Sequence, residues 1–140
     1  MNLSTDVKVT RVVAATATGT SDVNGTVIDM SGYEGVMFVG AIGSAAANNG
    51  IKVQQGQASN LADAADLVGS KVLSDGTQTQ FVVDVFRPQE RYVRPVMVRG
   101  TTTTVDAVFA IQYGGRSLPV TNTSAALAAE LHISPDEGTA

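Results

Sequence analysis

The segment FVVDVFRPQERYVRPVMVRG, residues 81–100, holds four of the chain's nine basic residues: Arg87, Arg91, Arg94 and Arg99. A guanidinium is planar, stays charged, and carries its N–H donors in a fixed fork. The fork matches a carboxylate or a phosphate bidentately. Its chemistry is recognition rather than bond making. It can hold a protein partner, hold nucleic acid, or solvate an exposed strand. The chain as a whole is acidic, with 13 Asp and Glu and a net charge of −4. That balance argues against bulk binding to DNA or to an anionic membrane. Single-stranded nucleic acid would need aromatic platforms beside the basic groups. Phe86 and Tyr92 are a thin supply, so no direct nucleic-acid partner is expected. Arginine, tyrosine and methionine together are enriched at protein interfaces. Arg87, Arg91, Tyr92, Arg94, Met97 and Arg99, with Arg116 further on, are therefore read as a protein interface. The competing reading is that the arginines guard an exposed strand edge against aggregation.

Residues able to carry catalysis are sparse. The single histidine, His132, lies in a C-terminal tail with no partners at suitable spacing, so a general-base or ligand role is not expected. Asp63 and Asp66 are three apart in LADAADL and would share a helix face, yet a calcium loop wants denser oxygen ligands and a bidentate acid. Asp22, Asn24 and Gly25 read as turn chemistry. No Gly-x-Ser-x-Gly elbow, dinucleotide fingerprint or phosphate-binding loop is present. Cysteine is absent, which excludes disulfides and thiolate metal sites. The chain is expected to be no enzyme, with no cofactor and no metal.

The elements around these residues are short and turn-rich. The length of 140 residues suits one domain with its own core. Tryptophan is absent and aromatics are 5%, so the apolar content is mostly Val and Ala. Val favours strands. Period-two alternation runs through VKVTRVV, IKVQQGQAS and TTVDAVFAIQY, QFVVDVFR and RYVRPVMVR are apolar runs that flank a short polar turn, and VMFVGAIG is a continuous apolar run. Gly40 and Gly43 in that run suggest a bulge or a close approach. ATATGTSDVNG, SGYEG, AAANNG and SDG read as turns. QFVVDVFR and RYVRPVMVR are expected to form a hairpin, and Pro95 should make its second strand an edge or a bulge. About eight short strands with turns between them give an all-β fold, an antiparallel β-sandwich or barrel. A jelly roll fits, as does an immunoglobulin-like sandwich. Residues 1–118 are assigned to this domain and residues 119–140 to a C-terminal tail. In the tail SAALAAELHI should form a short helix whose Leu127 and Leu131 dock on a neighbouring subunit. No apolar run approaches the roughly 20 residues that span a bilayer. MNLSTDVKV has no signal-peptide pattern, so no membrane partner and synthesis in the cytoplasm are expected.

The layout TRVVAATATGTSDVNGTVIDMSGYEGVMFVGAIG, then IKVQQGQASNLADAADLVGS, then VDVFRPQERYVRPVMVRGTTTTVDAVFAIQYGGRSLP resembles the capsid cement, or decoration, proteins of tailed bacteriophages. The resemblance runs over roughly residues 7–119, and FRPQERYVRP with AIQYGGRSLP is its most specific part. It implies a β-sandwich of the jelly-roll kind, seated on the outer surface of an icosahedral virion. It implies binding as a dimer or trimer at symmetry axes, where such proteins clamp neighbouring major capsid protein subunits. It carries no catalytic residue, and the tail from Val120 lies outside it. Other structural virion parts of this size, such as head–tail joining or tail proteins, are the second expectation. A carbohydrate-binding β-sandwich is the third, and the absence of tryptophan weighs against it.

Overall fold

The computed structural model describes residues 1–139. Its elements run α1 (Leu3–Asp6), β1 (Lys8–Val13), β2 (Thr16–Gly19), β3 (Val23–Asn24), β4 (Ile28–Asp29), β5 (Gly35–Ala41) and β6 (Asn49–Gly56). They continue with β7 (Ala65–Asp66), β8 (Val72–Leu73), β9 (Gln80–Phe86), β10 (Tyr92–Arg99), β11 (Thr103–Val105) and β12 (Val108–Tyr113). The fold is all-β and its ladders are antiparallel. Of the twelve strands, four are two residues long, so the expected number of about eight fits the longer ones.

The pairing is nested. β1 pairs with β12, from Lys8–Gln112 to Val13–Val108. Inside that pair, β3 and β4 both pair with β10. Further in, β5 pairs with β9, and innermost β6 pairs with β7 and β8. Two further ladders, β12 with β5 and β10 with β6, join these pairs sideways. The result is a four-stranded sheet, β1-β12-β5-β9, and a six-stranded one along β3-β10-β6-β7, with β4 on β10 and β8 on β6. β2 and β11 form a small third sheet.

Both main sheets feed one core. Val36, Phe38, Phe81, Val83, Val85 and Val108 come from the first, and Ile28, Ile51, Val53, Val93 and Met97 from the second. Each such side chain contributes about 1.5–3 kcal/mol when fully buried. Burial along β9 alternates strictly, with Phe81, Val83 and Val85 buried between exposed neighbours that include the apolar Val82 and Phe86. Gly40 marks a close approach: a Cβ there would lie 3.1 Å from Val108 Cγ2 and 3.2 Å from Met97 Sδ. In β1 a register shift between Arg11 and Val13 lets Val12 and Val13 both turn inward, where unbroken alternation would separate them.

Several expectations are corrected. Residues 81–100 form no hairpin: β9 and β10 belong to different sheets, and residues 87–91 carry the chain across. Alternation reports which face of a strand is buried, not which strand lies beside it. β10 is no edge strand either, since β6 flanks it on one side and β3 and β4 on the other. Pro95 sits at the gap between β3 and β4, where its missing N–H removes no ladder bond and its C=O accepts from Gly25 N–H at 2.8 Å. Two strands, β2 and β3, lie in the stretch read as a polar turn, and TTVDAVFAIQY is broken at Asp106–Ala107 into β11 and β12. For residues 61–69, where a helical turn and a loop were both open, the structure has turns and β7. The tail contains no helix at Ser124–Ile133, an isolated length too short to hold helix without packing.

The tail is tied at its root. Val120 N–H donates to Thr5 O at 2.8 Å. The buried Asn122 accepts from Val9 N–H at 2.8 Å and donates to Ser4 O at 3.0 Å and Val7 O at 2.8 Å.

Met97 is fully buried and Arg99 only 8% exposed, so neither lies on an accessible interface. Arg99 stitches the end of β10 to three other segments. Its guanidinium donates to Ser21 O, to Ala17 O at 2.9 Å and to Thr103 O at 3.2 Å. Its backbone N–H donates to Asp22 Oδ1 at 3.1 Å. Removing that donor fork strands three carbonyls. Arg99→Ala is expected to cost about 3 kcal/mol or more, and Arg99→Lys to recover only part, because an ammonium lacks the fork. Urea denaturation measures both, and an unchanged slope with a lower midpoint identifies a loss of native stability.

Candidate protein-binding groove

Three passages of chain meet at one rim of the two main sheets. Residues 30–34 lead from β4 to β5, residues 87–91 lead from β9 to β10, and residues 114–116 follow β12. Between them opens a groove of about 510 Å³, lined by Arg87, Arg91 and Arg116 together with Tyr33, Glu34 and Glu90.

The arginines are held differently. Arg87 donates its backbone N–H to Glu34 O at 2.7 Å and a guanidinium N–H to Glu34 Oε1 at 3.1 Å. Its guanidinium lies 5.0 Å from the Phe86 ring centre. Its φ of +51° is in the left-handed region, which a non-glycine residue adopts only where surrounding contacts fix it. The paired bonds to Glu34 supply those contacts. Arg91 grips the Asp29 carboxylate with Nε at 2.9 Å and Nη2 at 2.8 Å, and lies 5.2 Å from the Tyr92 ring centre. Its C=O accepts from Met30 N–H at 2.8 Å. Arg116 is fixed through its backbone, which donates to Gly32 O at 2.9 Å. Its exposed side chain makes no hydrogen bond or ion pair among the described residues.

The rest of the expected interface lies elsewhere. Arg94 is half-buried on the outer face of the six-stranded sheet, with Nε and Nη2 2.9 and 2.8 Å from Gln54 Oε1. Gln54 in turn donates to Asp66 at 2.8 Å, and Lys52 reaches the same carboxylate at 2.9 Å. Tyr92 is half-buried at the start of β10. Leu127 lies beside Val9 and Phe109 in a second groove, and Leu131 is exposed. His132 stands in the tail, 3.5 Å from Glu130. Asp63 accepts from the N–H groups of Gln57 and Ala58 at 2.8 and 3.2 Å, closing a loop. No cluster of three or more metal-ligating residues occurs among the described residues.

The partners Asp29, Glu34 and Gln54 were not identified from the sequence. They stand 62, 53 and 40 residues from Arg91, Arg87 and Arg94, so no local spacing could announce them. No family model matches the chain, and no curated protein matches it.

The charged contacts set the pH response. Hydrogen bonding from Arg91 holds Asp29 below its ordinary value of 3.8, and Lys52 with Gln54 does the same for Asp66. Their stabilisation is present above the unfolded value and is lost as pH falls through the lower folded values. At the alkaline end, burial and a hydrogen bond to Asp84 at 2.7 Å push Tyr113 up from 10.0 to about 12. The unfolded chain ionises first, so this contribution is complete below 10.0 and disappears as pH climbs toward 12. Absorbance titration of the phenolates is expected to show one late tyrosine, absent from Tyr113→Phe, and the variant's stability is expected to fall less steeply over that interval.

Proposed function

We propose that this protein is a non-enzymatic structural component of a phage virion, one that binds the outer surface of an icosahedral head and bridges neighbouring major capsid subunits. The observation that carries this reading is the rim groove, where Arg87, Arg91 and Arg116 gather in an otherwise acidic chain. A planar guanidinium is easier to desolvate than an ammonium and pairs bidentately with carboxylates. Acidic patches on a shell surface are the fitting counterpart for Arg116, whose side chain has no partner among the described residues, while Arg87 and Arg91 already hold Glu34 and Asp29. The resemblance of FRPQERYVRP and AIQYGGRSLP to cement proteins supports the same reading, because those segments supply the groove's arginines. Bridging gains from multivalency: each added contact is intramolecular once the first is made, so modest contacts sum.

The finer architecture we propose is a jelly-roll sandwich. Counting β3 with β4 and β7 with β8 as single interrupted strands, the nested pairing is a long antiparallel ladder rolled into two sheets over one core. Two interlocked Greek keys of eight strands have this form.

Co-sedimentation with capsids lacking the protein, over a salt series, tests the function. Saturable binding that weakens with salt is the expected result. Arg87→Glu combined with Arg116→Glu is expected to weaken binding at least about tenfold, a loss of about 1.4 kcal/mol, while the circular dichroism spectrum stays unchanged. Absence of wild-type binding overturns the reading, and wild-type binding by the double variant overturns the role of the groove.

A further inference from the structure

The four-stranded sheet ends in two edges, and they are built differently. β1 is guarded. It has a register shift at Arg11–Val13, and it carries Lys8 and Arg11. Asn122 Oδ1 takes the Val9 N–H, and Lys8 Nζ reaches Thr121 O at 2.6 Å. Bulges, basic residues and covering segments are the devices that keep an edge from pairing.

β9 lacks the first two, and residues 67–72 flank its C-terminal half across an open groove. Its seven residues, QFVVDVF, contain no proline and no basic side chain, and its register with β5 is unbroken. Arg87 N–H donates to Glu34 O and Ile42 N–H donates to Thr79 O, so the odd-numbered residues of this strand turn their backbone groups toward β5. By alternation the N–H and C=O groups of Gln80, Val82, Asp84 and Phe86 point the other way, and no strand lies there. A groove of about 330 Å³ opens along the C-terminal half of this edge, between Val83–Phe86 and the loop of residues 67–72. Exposed apolar side chains stand along the strand, Val82 at 54% and Phe86 at 59%, and across the groove, Val68 before β8 and Val72 at its start.

We propose that β9 pairs edge to edge with β9 of a second copy of this chain, about a two-fold axis at Val83. This does not rest on the shell reading. Strand parity favours that register. Opposite residues must point to the same face, so the permitted registers step by two. Centred on Val83, the pairing sets Val82 opposite Asp84 of the second copy and Gln80 opposite Phe86. All four outward-facing residues then exchange backbone hydrogen bonds, and Phe81 lies opposite Val85 on the core side. Centred on Asp84, it would place two carboxylates face to face, which is unfavourable. Centred on Val82, it would leave Phe86 without a partner. A closed two-fold contact uses the same edge on both copies and stops at two. The sheet then continues through both molecules.

Sedimentation velocity up to about 1 mM protein tests the proposal, a range that covers association as weak as millimolar. The expected result is reversible dimerisation of the wild type. Val82→Asp places like charges across both symmetric pairs and is expected to weaken it at least about tenfold. Val82→Lys places opposite charges there and is expected to leave it equal or stronger. Val82→Pro deletes an outward N–H that no internal strand uses, and is expected to abolish dimers. Circular dichroism checks that each variant folds. If Val82→Pro fails that check, the Asp and Lys variants at this exposed position decide the matter. A monomer at all concentrations overturns the proposal, as does a dimer that responds identically to Val82→Asp and Val82→Lys.

Discussion

Two sheets that close over one core oblige the chain to pass between them, and each passage leaves the regular ladder at the rim. Two polar clusters in this molecule are arranged around that constraint. At one rim, residues 30–34 and 87–91 cross in opposite directions and are held by the Arg87–Glu34 and Arg91–Asp29 pairs, by the backbone bond from Met30 N–H to Arg91 O and by that from Arg87 N–H to Glu34 O. At the far end of β10, the buried Arg99 guanidinium gathers the carbonyls of Ala17, Ser21 and Thr103. The same residue type therefore does two different jobs at the two ends of one strand. One end presents exposed guanidinium groups with carboxylate partners. The other buries a guanidinium as a peg for loops that could not otherwise satisfy their backbone.

That division explains what the sequence could and could not disclose. The all-β class was legible in the short Val-rich runs between turns, whereas the inward turn of Phe81, Val83 and Val85 was not, because Val82 and Phe86 beside them are apolar as well. The groove arginines were legible as a concentration of one residue type. Their separation from Arg99 was not, because burial depends on what β2 and β11 bring to it from residues 17 and 103. Met97 was read as interface because methionine accompanies arginine and tyrosine at such surfaces, yet its position on β10 faces Gly40 and the core. Pro95 was read as an edge marker, and it marks instead the break between two short partners of a central strand. A proline excludes one hydrogen bond on one side, and the sequence does not say which side has need of it.

The tail shows how a single side chain can substitute for secondary structure. Asn122 offers one acceptor and two donors, and all three are met by backbone groups of α1, of β1 and of Val7 between them. The amide thus acts as a short strand would, capping the β1 edge with no ladder of its own. A helix over the following residues would need an apolar surface beneath it. Leu127 finds part of one at Val9 and Phe109, while Leu131 and Ile133 remain exposed.

The nested pairing also bears on the order in which the molecule can form. Closing a long loop costs entropy before any contact rewards it. The innermost pair, β6 with β7, joins Gln54 to Asp66, whereas the outermost joins Lys8 to Gln112. The cheapest closure therefore lies at the middle of the chain, and each later pair closes over the one before it. A topology dominated by such distant partners folds slowly for its size. During synthesis, β1 waits for almost the whole chain to emerge, since among the described residues its neighbour in the sheet is β12. The central segments must hold together meanwhile without the strand that finally covers one side of them.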